Sequence, residues 1–401
     1  MEAIYKRESG KAIATLTRIL GDLDLAEEYL QAAFLKALET WPDRGVPDNP
    51  CAWLISTAKH RAIDAFRRAK RGDALLQAMD PQEADDWELR DDYWVEDDQL
   101  RLIFYCCHPI LGTDAQIPLA LKEVAGMSTA AIAQAFLMTP EAMKRKISRA
   151  KKKIKDHQVP YEIPSREDRA TRIAGVLHAI YLIYNEGYSK SSGESLTQKD
   201  LTDEAVVLMK TLLSIEPSAE GMGLLALFLF HESKSMTRVD SGGCPVQLED
   251  QDRSLWDQAM IAEGLDLLHK AVMTGRLGPY GLQAAMASVH CVAPTFAETQ
   301  WRLIVGYYDM LFGITPSPIV RMNRAIALGM AEGPEAGLRE LRELTGAKQI
   351  AQNHRLYAAI GEFSFKVGNR LEAEAAFRKA LELAPTTAER LFLQQKLQDL
   401  A

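Results

Sequence analysis

The chain has 401 residues, which at about 150 residues per domain makes roughly three domains with real hydrophobic cores and excludes a single small module. Its 47% hydrophobic, 25% charged and 7% aromatic residues are globular averages, so wholesale disorder and a low-complexity or collagen-like chain are excluded too. A formal charge of −8 and a pI near 5.6, taken as totals, argue against a nucleic-acid partner, because phosphate binding needs positive surface.

The first eleven residues are interspersed with charges and lack the apolar core and small-residue cleavage site of a signal peptide. Strand signals are nearly absent and helical spacing is everywhere, so the expected class is all-α. Residues 1–72 carry +2. A helix containing Trp53 and Leu54 runs into a basic cluster of Lys59, Arg61, Arg67, Arg68, Lys70 and Arg71, with Arg61, Asp64 and Arg68 spaced to share one face. Alone, that cluster reads equally well as cations complementing the dipole at a helix end. Residues 73–98 carry −10, including Asp85, Asp86, Asp91, Asp92, Asp97 and Asp98, and are expected to form a self-repelling acidic linker. Trp87, Tyr93 and Trp94 are unusual in such a tether.

Residues 99–155 carry +7. Leu100, Ile103, Phe104 and Cys107 fall at helical spacing. Cys106, Cys107 and His108 invite a metal reading, but adjacent cysteines on one helix point apart and no second ligand pair stands at zinc-like spacing, so packing is expected. Cys51, Cys244 and Cys291 complete an odd set without a disulfide framework, expected to be reduced in a cytoplasm. From Lys122 onward the sequence spells a helix-turn-helix. Ser128 is an N-cap; Ile132, Ala133 and Phe136 make an apolar face; Leu137 and Met138 make the turn; Thr139 with Pro140 starts a second helix. That helix turns Met143 and Ile147 inward. Between Lys144 and Lys155 it carries eight basic residues and no acidic one. The capped first helix and tight turn favour DNA over a merely solvated basic face.

Residues 156–401 carry −7. Ile173, Val176, Leu177, Ile180, Tyr181 and Tyr184 keep helical spacing. His178, Asn185, Glu186 and Tyr188 lack any accompanying nucleophile elbow, phosphate loop or carboxylate pair, so a hydrogen-bonded helix end is expected and no enzyme. The apolar run ending at Phe230 is about half of the roughly 20 residues that span a bilayer, and no membrane span is expected. Gly278 and Pro279 mark a helix boundary. From His354 to Pro385 the spacing of Tyr357, Gly361, Ala373, Phe377, Ala380 and Pro385 is that of a tetratricopeptide repeat. A degenerate unit precedes it from Arg321 to Leu344, broken at Gly333 and Pro334, placing the repeat region at about 318–401.

These segments, in this order, resemble a bacterial RNA polymerase sigma factor of the extracytoplasmic-function (sigma-70) family. GDLDLAEEYLQAAFLKAL from Gly21 is similar to the core-binding part of the first sigma domain, and NPCAWLISTAKHRAIDAFRR from Asn49 to its promoter-melting part. Leu100 to Lys155, with CCHP at Cys106, resembles the domain that reads the upstream promoter element. YLIYNEGY at Tyr181, LEDQDRSLWDQAMIAEG at Leu248, GPYGLQAAMASVH at Gly278 and TPSPIVRMNRAIAL at Thr315 resemble the long C-terminal extension of one subgroup, which ends in tetratricopeptide-like helices. Ala32 and Ala33 stand where an acidic residue often follows the Gln31 position, and His60 replaces a frequent Asn.

The resemblance implies four segments: region 2 at 1–72, the linker at 73–98, region 4 at 99–155 and the helical extension at 156–401. It implies core polymerase contact at Asp24, Glu27, Gln31 and Phe34. It implies downstream promoter contact at Lys59, Arg61, Asp64, Arg67 and Arg68. Upstream contact falls to Ser128, Thr139, Glu141, Lys144, Arg145, Arg149 and Lys152, about two helical turns away along the DNA. Partners are then core RNA polymerase and promoter DNA, with no cofactor and no metal. The acidic linker is expected to mimic nucleic acid in the polymerase's basic channel. The extension is expected to dock on the sigma domains and to regulate or support them. A helix-turn-helix regulator acting without polymerase accounts only for the second basic cluster; a helical-repeat scaffold or ligand sensor is the third alternative.

Overall fold

Among the described residues there are eighteen α-helices and two short 3-10 turns, at Ser235–Thr237 and Arg253–Leu255, and the only β pairing is an isolated antiparallel bridge between Val239 and Pro245. The computed structural model describes residues 2–72, 93–136, 138–188, 199–240 and 245–400. Two units emerge: residues 1–185 with 203–212, and residues 186–202 with 213–401.

The first unit begins with a three-helix bundle of α1 (Glu2–Leu20), α2 (Leu23–Arg44) and α3 (Pro50–Gly72), each packed on the other two. Gly21 ends α1 at φ 70°, a conformation that costs a residue without Cβ nothing. Asp22 then caps α2, its carboxylate accepting from the backbone N–H of Asp24 and Leu25 at 2.9 and 3.0 Å. Leu23, Ala26, Leu30, Ala33, Phe34, Ala37 and Trp41 recur every three or four residues and form the buried stripe of α2. Trp41 meets Trp53 of α3 edge to face at 5.2 Å.

Helix α4 (Tyr93–Cys106) starts inside the stretch expected to be linker; residues 73–92, with Trp87, lie outside the described residues. The acidic pattern ends in a helix because Asp98 is not solvated. Its carboxylate is fully buried and holds two guanidiniums, Arg18 of α1 at 2.8 Å and Arg101 at 2.6 Å. Helices α5 (Thr113–Glu123), α6 (Thr129–Ala135) and α7 (Pro140–Asp156) follow, with α1 packed on both α4 and α5. Gly10 makes that approach possible, since a Cβ there would collide with the backbone carbonyl of Val124. Tyr161, just past α7, puts its hydroxyl 2.9 Å from the Ala14 carbonyl and 3.2 Å from that of Asp98. Helix α8 (Arg166–Tyr188) starts in this unit, where Gly175 lies against Gln116 and Cys107. Residues 203–212 belong to α9 (Lys199–Ile215), joined to α4 by Gln99 donating to Glu204 at 2.7 Å.

The second unit is a helical array: α10 (Ala219–Glu232), α11 (Gln258–Met273), α12 (Pro279–Val292), α13 (Trp301–Ile314), α14 (Pro318–Glu332), α15 (Pro334–Leu344), α16 (His354–Lys366), α17 (Arg370–Leu383) and α18 (Thr387–Asp399). Each packs on the next. The apolar run of α10 is buried on nearly all sides, and a Cβ on its Gly223 would come 2.7 Å from the backbone of Gly281 in α12. Gly278 and Pro279 do open α12, and Glu220 of α10 accepts from the exposed N–H groups of Tyr280 and Gly281 at 3.1 and 3.2 Å. In the last repeat Gly361 faces the ring of Phe377, with Ala373 and Ala380 buried beside it. In the preceding helix pair, Gly329 of α14 and Gly337 of α15 together make room for Phe363 of α16. No helix among the described residues is long and apolar enough to cross a membrane.

Candidate nucleic-acid interface

Helices α6 and α7 form the expected helix-turn-helix, with Leu137 alone of the turn outside the described residues. Ser128 caps α6 by accepting from Ala131 N–H at 3.1 Å, and Thr139 caps α7 by accepting from Ala142 N–H at 3.3 Å. Their hydroxyls therefore hold the motif's shape. Met143, Ile147, Ala150 and Ile154 bury one face of α7, leaving Glu141, Lys144, Arg145, Arg149 and Lys152 exposed. Lys152 pairs with Asp156 at 2.9 Å, a surface contact worth little. Between α5 and α7 lies a cleft of about 530 Å³ whose lining includes Arg145, Lys146, Arg149 and Lys153. Lys146 is tied to Asp114, whose carboxyl that hydrogen bond holds below the usual carboxylate range.

On α3, Arg61 is exposed and Lys59 half-buried, and Asp64 is exposed on the same helix. Arg67 and Arg68 belong to the helix, but their side chains lie outside the described residues.

On α2, Asp24 and Gln31 are exposed and Glu27 is half-buried. Phe34 points inward, its ring 4.8 Å from that of Tyr5 and only 7% of the residue exposed. Leu35 and Leu38, exposed by 62% and 52%, stand four and seven residues past Gln31 on the outer side. Their exposure is what the periodicity could have revealed, since they interrupt an otherwise polar face.

Asp24 and Glu27 do not stand alone. Lys151 of α7 reaches Glu27 at 2.8 Å, Glu123 at 2.9 Å and Asp24 at 3.9 Å, and Lys155 reaches Asp22 at 2.6 Å. Burial pushes the Glu123 carboxyl up and Glu27 adds to that, while Lys151 opposes it. Burial would lower Lys151, yet Glu123 and Glu27 together hold its ammonium above the ordinary lysine range. Burial likewise raises Asp22, but Lys155 and the two capping N–H groups bring it below the usual carboxylate value. A cavity of about 20 Å³, room for a single water, lies among Tyr5, Ser9, Glu27, Gln31 and Glu123. No sequence spacing signalled this cluster, because Lys151 and Glu27 alone lie 124 residues apart.

Cys106 and Cys107 are buried; burial pushes the first thiol well up and the second to about 12, so both stay protonated. The Nδ1 of His108 accepts from Ile110 N–H at 3.2 Å. His178 stacks on Tyr181 at 6.3 Å, and in the second unit Tyr188 stacks on His231 at 4.7 Å beneath the Arg238 guanidinium.

A capped helix-turn-helix following a basic three-helix bundle defines a class of DNA-directed transcription proteins, and comparison with known families specifies it. Models of Sigma-70 region 2 and Sigma-70 region 4 match residues 4–72 and 101–154. A family of unknown function (DUF6596) matches residues 172–272, and a tetratricopeptide repeat matches residues 354–387. The chain belongs to the sigma-70 family, as an extracytoplasmic-function type with a C-terminal extension. An uncharacterized protein of Rhizobium meliloti is 40% identical over 397 residues, covering 98% of this chain and 93% of the relative.

Proposed function

We propose that the chain binds core RNA polymerase and directs it to promoters, with α3 on the downstream element and α7 on the upstream one. The observation that carries this reading is the exposed basic edge of α7 above the cleft lined by Arg145, Lys146, Arg149 and Lys153. The N-terminal part of α7 enters the major groove, where Arg145 pairs with guanine; Lys144, Arg149 and Lys152 hold phosphates. Glu141 lies beside them at the groove. On α3, Lys59, Arg61, Arg67 and Arg68 hold the backbone of the separated strand, with Asp64 orienting the arginines. Polymerase contact falls to Asp24, Glu27 and Gln31, and Leu35 and Leu38 join them as the apolar part of that face. The factor performs no covalent chemistry; it supplies positioning, and the polymerase supplies catalysis. Residues 156–401 tune polymerase engagement from within the same chain.

Run-off transcription with core polymerase and a library of promoter fragments tests the reading. Promoter-dependent transcripts are expected, and Arg145→Ala should weaken upstream-element binding about tenfold, the equivalent of about 1–3 kcal/mol for one bidentate base contact. DNA binding without any promoter-dependent transcript would instead identify a regulator that works without polymerase. Removal of residues 354–401 should change transcript yield; an unchanged yield overturns the regulatory role of the repeats.

A further inference from the structure

We propose that the second unit holds a binding site for a small phosphate-class oxyanion, where the end of α10, the turn at Arg253 and the end of α12 meet. Three cations converge there. Lys234, two residues past α10, is only 7% exposed. Its ammonium lies 5.4 Å from the centre of the Trp256 ring, and the Arg253 guanidinium lies 4.7 Å from the same centre. The ring itself is fixed, its Nε1 donating to the Thr237 hydroxyl at 3.0 Å. Arg238 stands 3.3 Å over the ring of Tyr188, which in turn stacks on His231. Burial lowers the Lys234 pKa, and Arg238 and Arg253 lower it further against the opposing Cys291 thiol, so the three positive groups act on one another.

What the cluster lacks is negative charge. Among the described residues none of these three cations forms an ion pair. The acids close in sequence are engaged elsewhere: Glu232 lies 4.0 Å from Lys199, Asp252 accepts from Ser254, and Asp257 accepts from the N–H groups that open α11. A lysine is rarely buried without a partner, because its desolvation then goes uncompensated. Two further polar atoms of the cluster, Arg253 Nη2 and His290 Nδ1, are buried and unpartnered. Arg253 Nη1 donates to the His290 and Ala293 carbonyls at 2.7 Å each, which holds the guanidinium against the end of α12. Tyr188, His231, Arg238, Arg253 and His290 are half-buried, so the cluster meets solvent at its rim while Lys234 forms its floor. Three cations call for more than one negative charge, and an arginine fork beside a lysine point charge suits the several oxygens of a phosphate. A single carboxylate leaves most of that charge unmatched. His290, held down to about 4 by burial and by Lys234 and Arg253, is neutral at pH 7. In its Nε2–H tautomer the free Nδ1 accepts the proton that hydrogen phosphate carries and sulfate lacks.

Titration of the full chain with inorganic phosphate, against chloride of equal ionic strength, tests the site by calorimetry and thermal unfolding. Phosphate should bind once per chain and raise the unfolding midpoint of the second unit. Sulfate should bind about fivefold more weakly, for want of the proton that His290 accepts; equal binding overturns the phosphate assignment. Glycerol 3-phosphate distinguishes the sources: binding as tight as that of phosphate assigns the site to phosphate monoesters, and exclusion assigns it to the free ion, either result supporting the proposal. Lys234→Met keeps an unbranched chain against Trp256 and removes the charge. It should weaken phosphate binding at least about tenfold and raise the midpoint of the phosphate-free chain, since a buried charge without a partner is gone. A lysine that serves packing alone predicts the reverse, a lowered midpoint with phosphate binding unchanged. Arg238→Gln, at the half-buried rim, should weaken phosphate about fivefold and serves if Lys234→Met does not fold. Absence of phosphate binding by the wild-type chain, or binding that neither substitution weakens, overturns the proposal.

Discussion

The contact of α2 with α7 and the contact of α10 with α12 are both helix junctions, built from opposite materials. The first is made of lysines and carboxylates drawn from distant parts of the chain. The second is made of Gly223 against Gly281 and a half-buried, carboxylate-capped helix start. Charged partners find substitutes in water or on another protein, whereas apposed backbones and apolar side chains find none. The first junction therefore responds to pH and salt where it meets solvent, and the second does not.

The largest effect expected belongs to the permanent kind of packing. Phe377→Ala removes the ring that Gly361 was shaped to accept and should cost about 4 kcal/mol. Calorimetry should show a lowered transition for the repeat helices; a shift below a degree would mean that the hairpin does not depend on that ring. Asp98→Ala leaves Arg18 and Arg101 without their shared carboxylate. Because both guanidiniums remain about one-fifth exposed, the expected cost is reduced to about 3 kcal/mol, read by urea unfolding of the first unit.

Acid should act next, and on the second unit. Burial pushes His290 down to about 4, with Lys234 and Arg253 adding repulsion, and burial also depresses His231. A histidine depressed on folding binds its proton more readily in the unfolded chain. Its favourable contribution is complete above pH 6.5 and is lost as pH falls toward 4. For His290 alone that amounts to about 2 kcal/mol between pH 7 and pH 5, and His290→Gln should flatten the pH dependence of the melting temperature. The smallest effect expected is that of Tyr161→Phe where its hydroxyl bridges α1 and α4, about 1 kcal/mol for one hydrogen bond. Its thermal midpoint should fall by only about 2–4 °C; a shift of about ten degrees would mean that the hydroxyl holds more than one hydrogen bond's worth of structure.

Local signals carried much of this in advance. Ser128 and Thr139 cap where their neighbours demand a helix start, because an N-cap needs only the two or three residues after it. Gly361 and Phe377 meet as repeat spacing requires, since a helical hairpin is a short-range object. Phe34 shows where such reasoning ends: its position in α2 suits a polymerase contact by resemblance, and the partner that takes its ring, Tyr5, is on another helix. The acidic stretch shows it again. Charge density alone makes residues 93–98 a tether, and Arg18 from α1, together with Arg101 one turn on, makes Asp98 a buried helical residue.

Composition by blocks, helical period and capping chemistry were enough to establish an all-α chain, the position of its helix-turn-helix and the repeat at its end. All of these depend on residues within a turn or two of one another. Only the tertiary structure decided that Lys151 is turned from solvent onto α2 and that Lys155 reaches Asp22, that Gly10 is a contact residue, and that Glu123 belongs with Glu27. Those facts depend on which helix faces packing brings together, and the energy that chooses among faces is summed over the whole buried surface rather than written in any one segment.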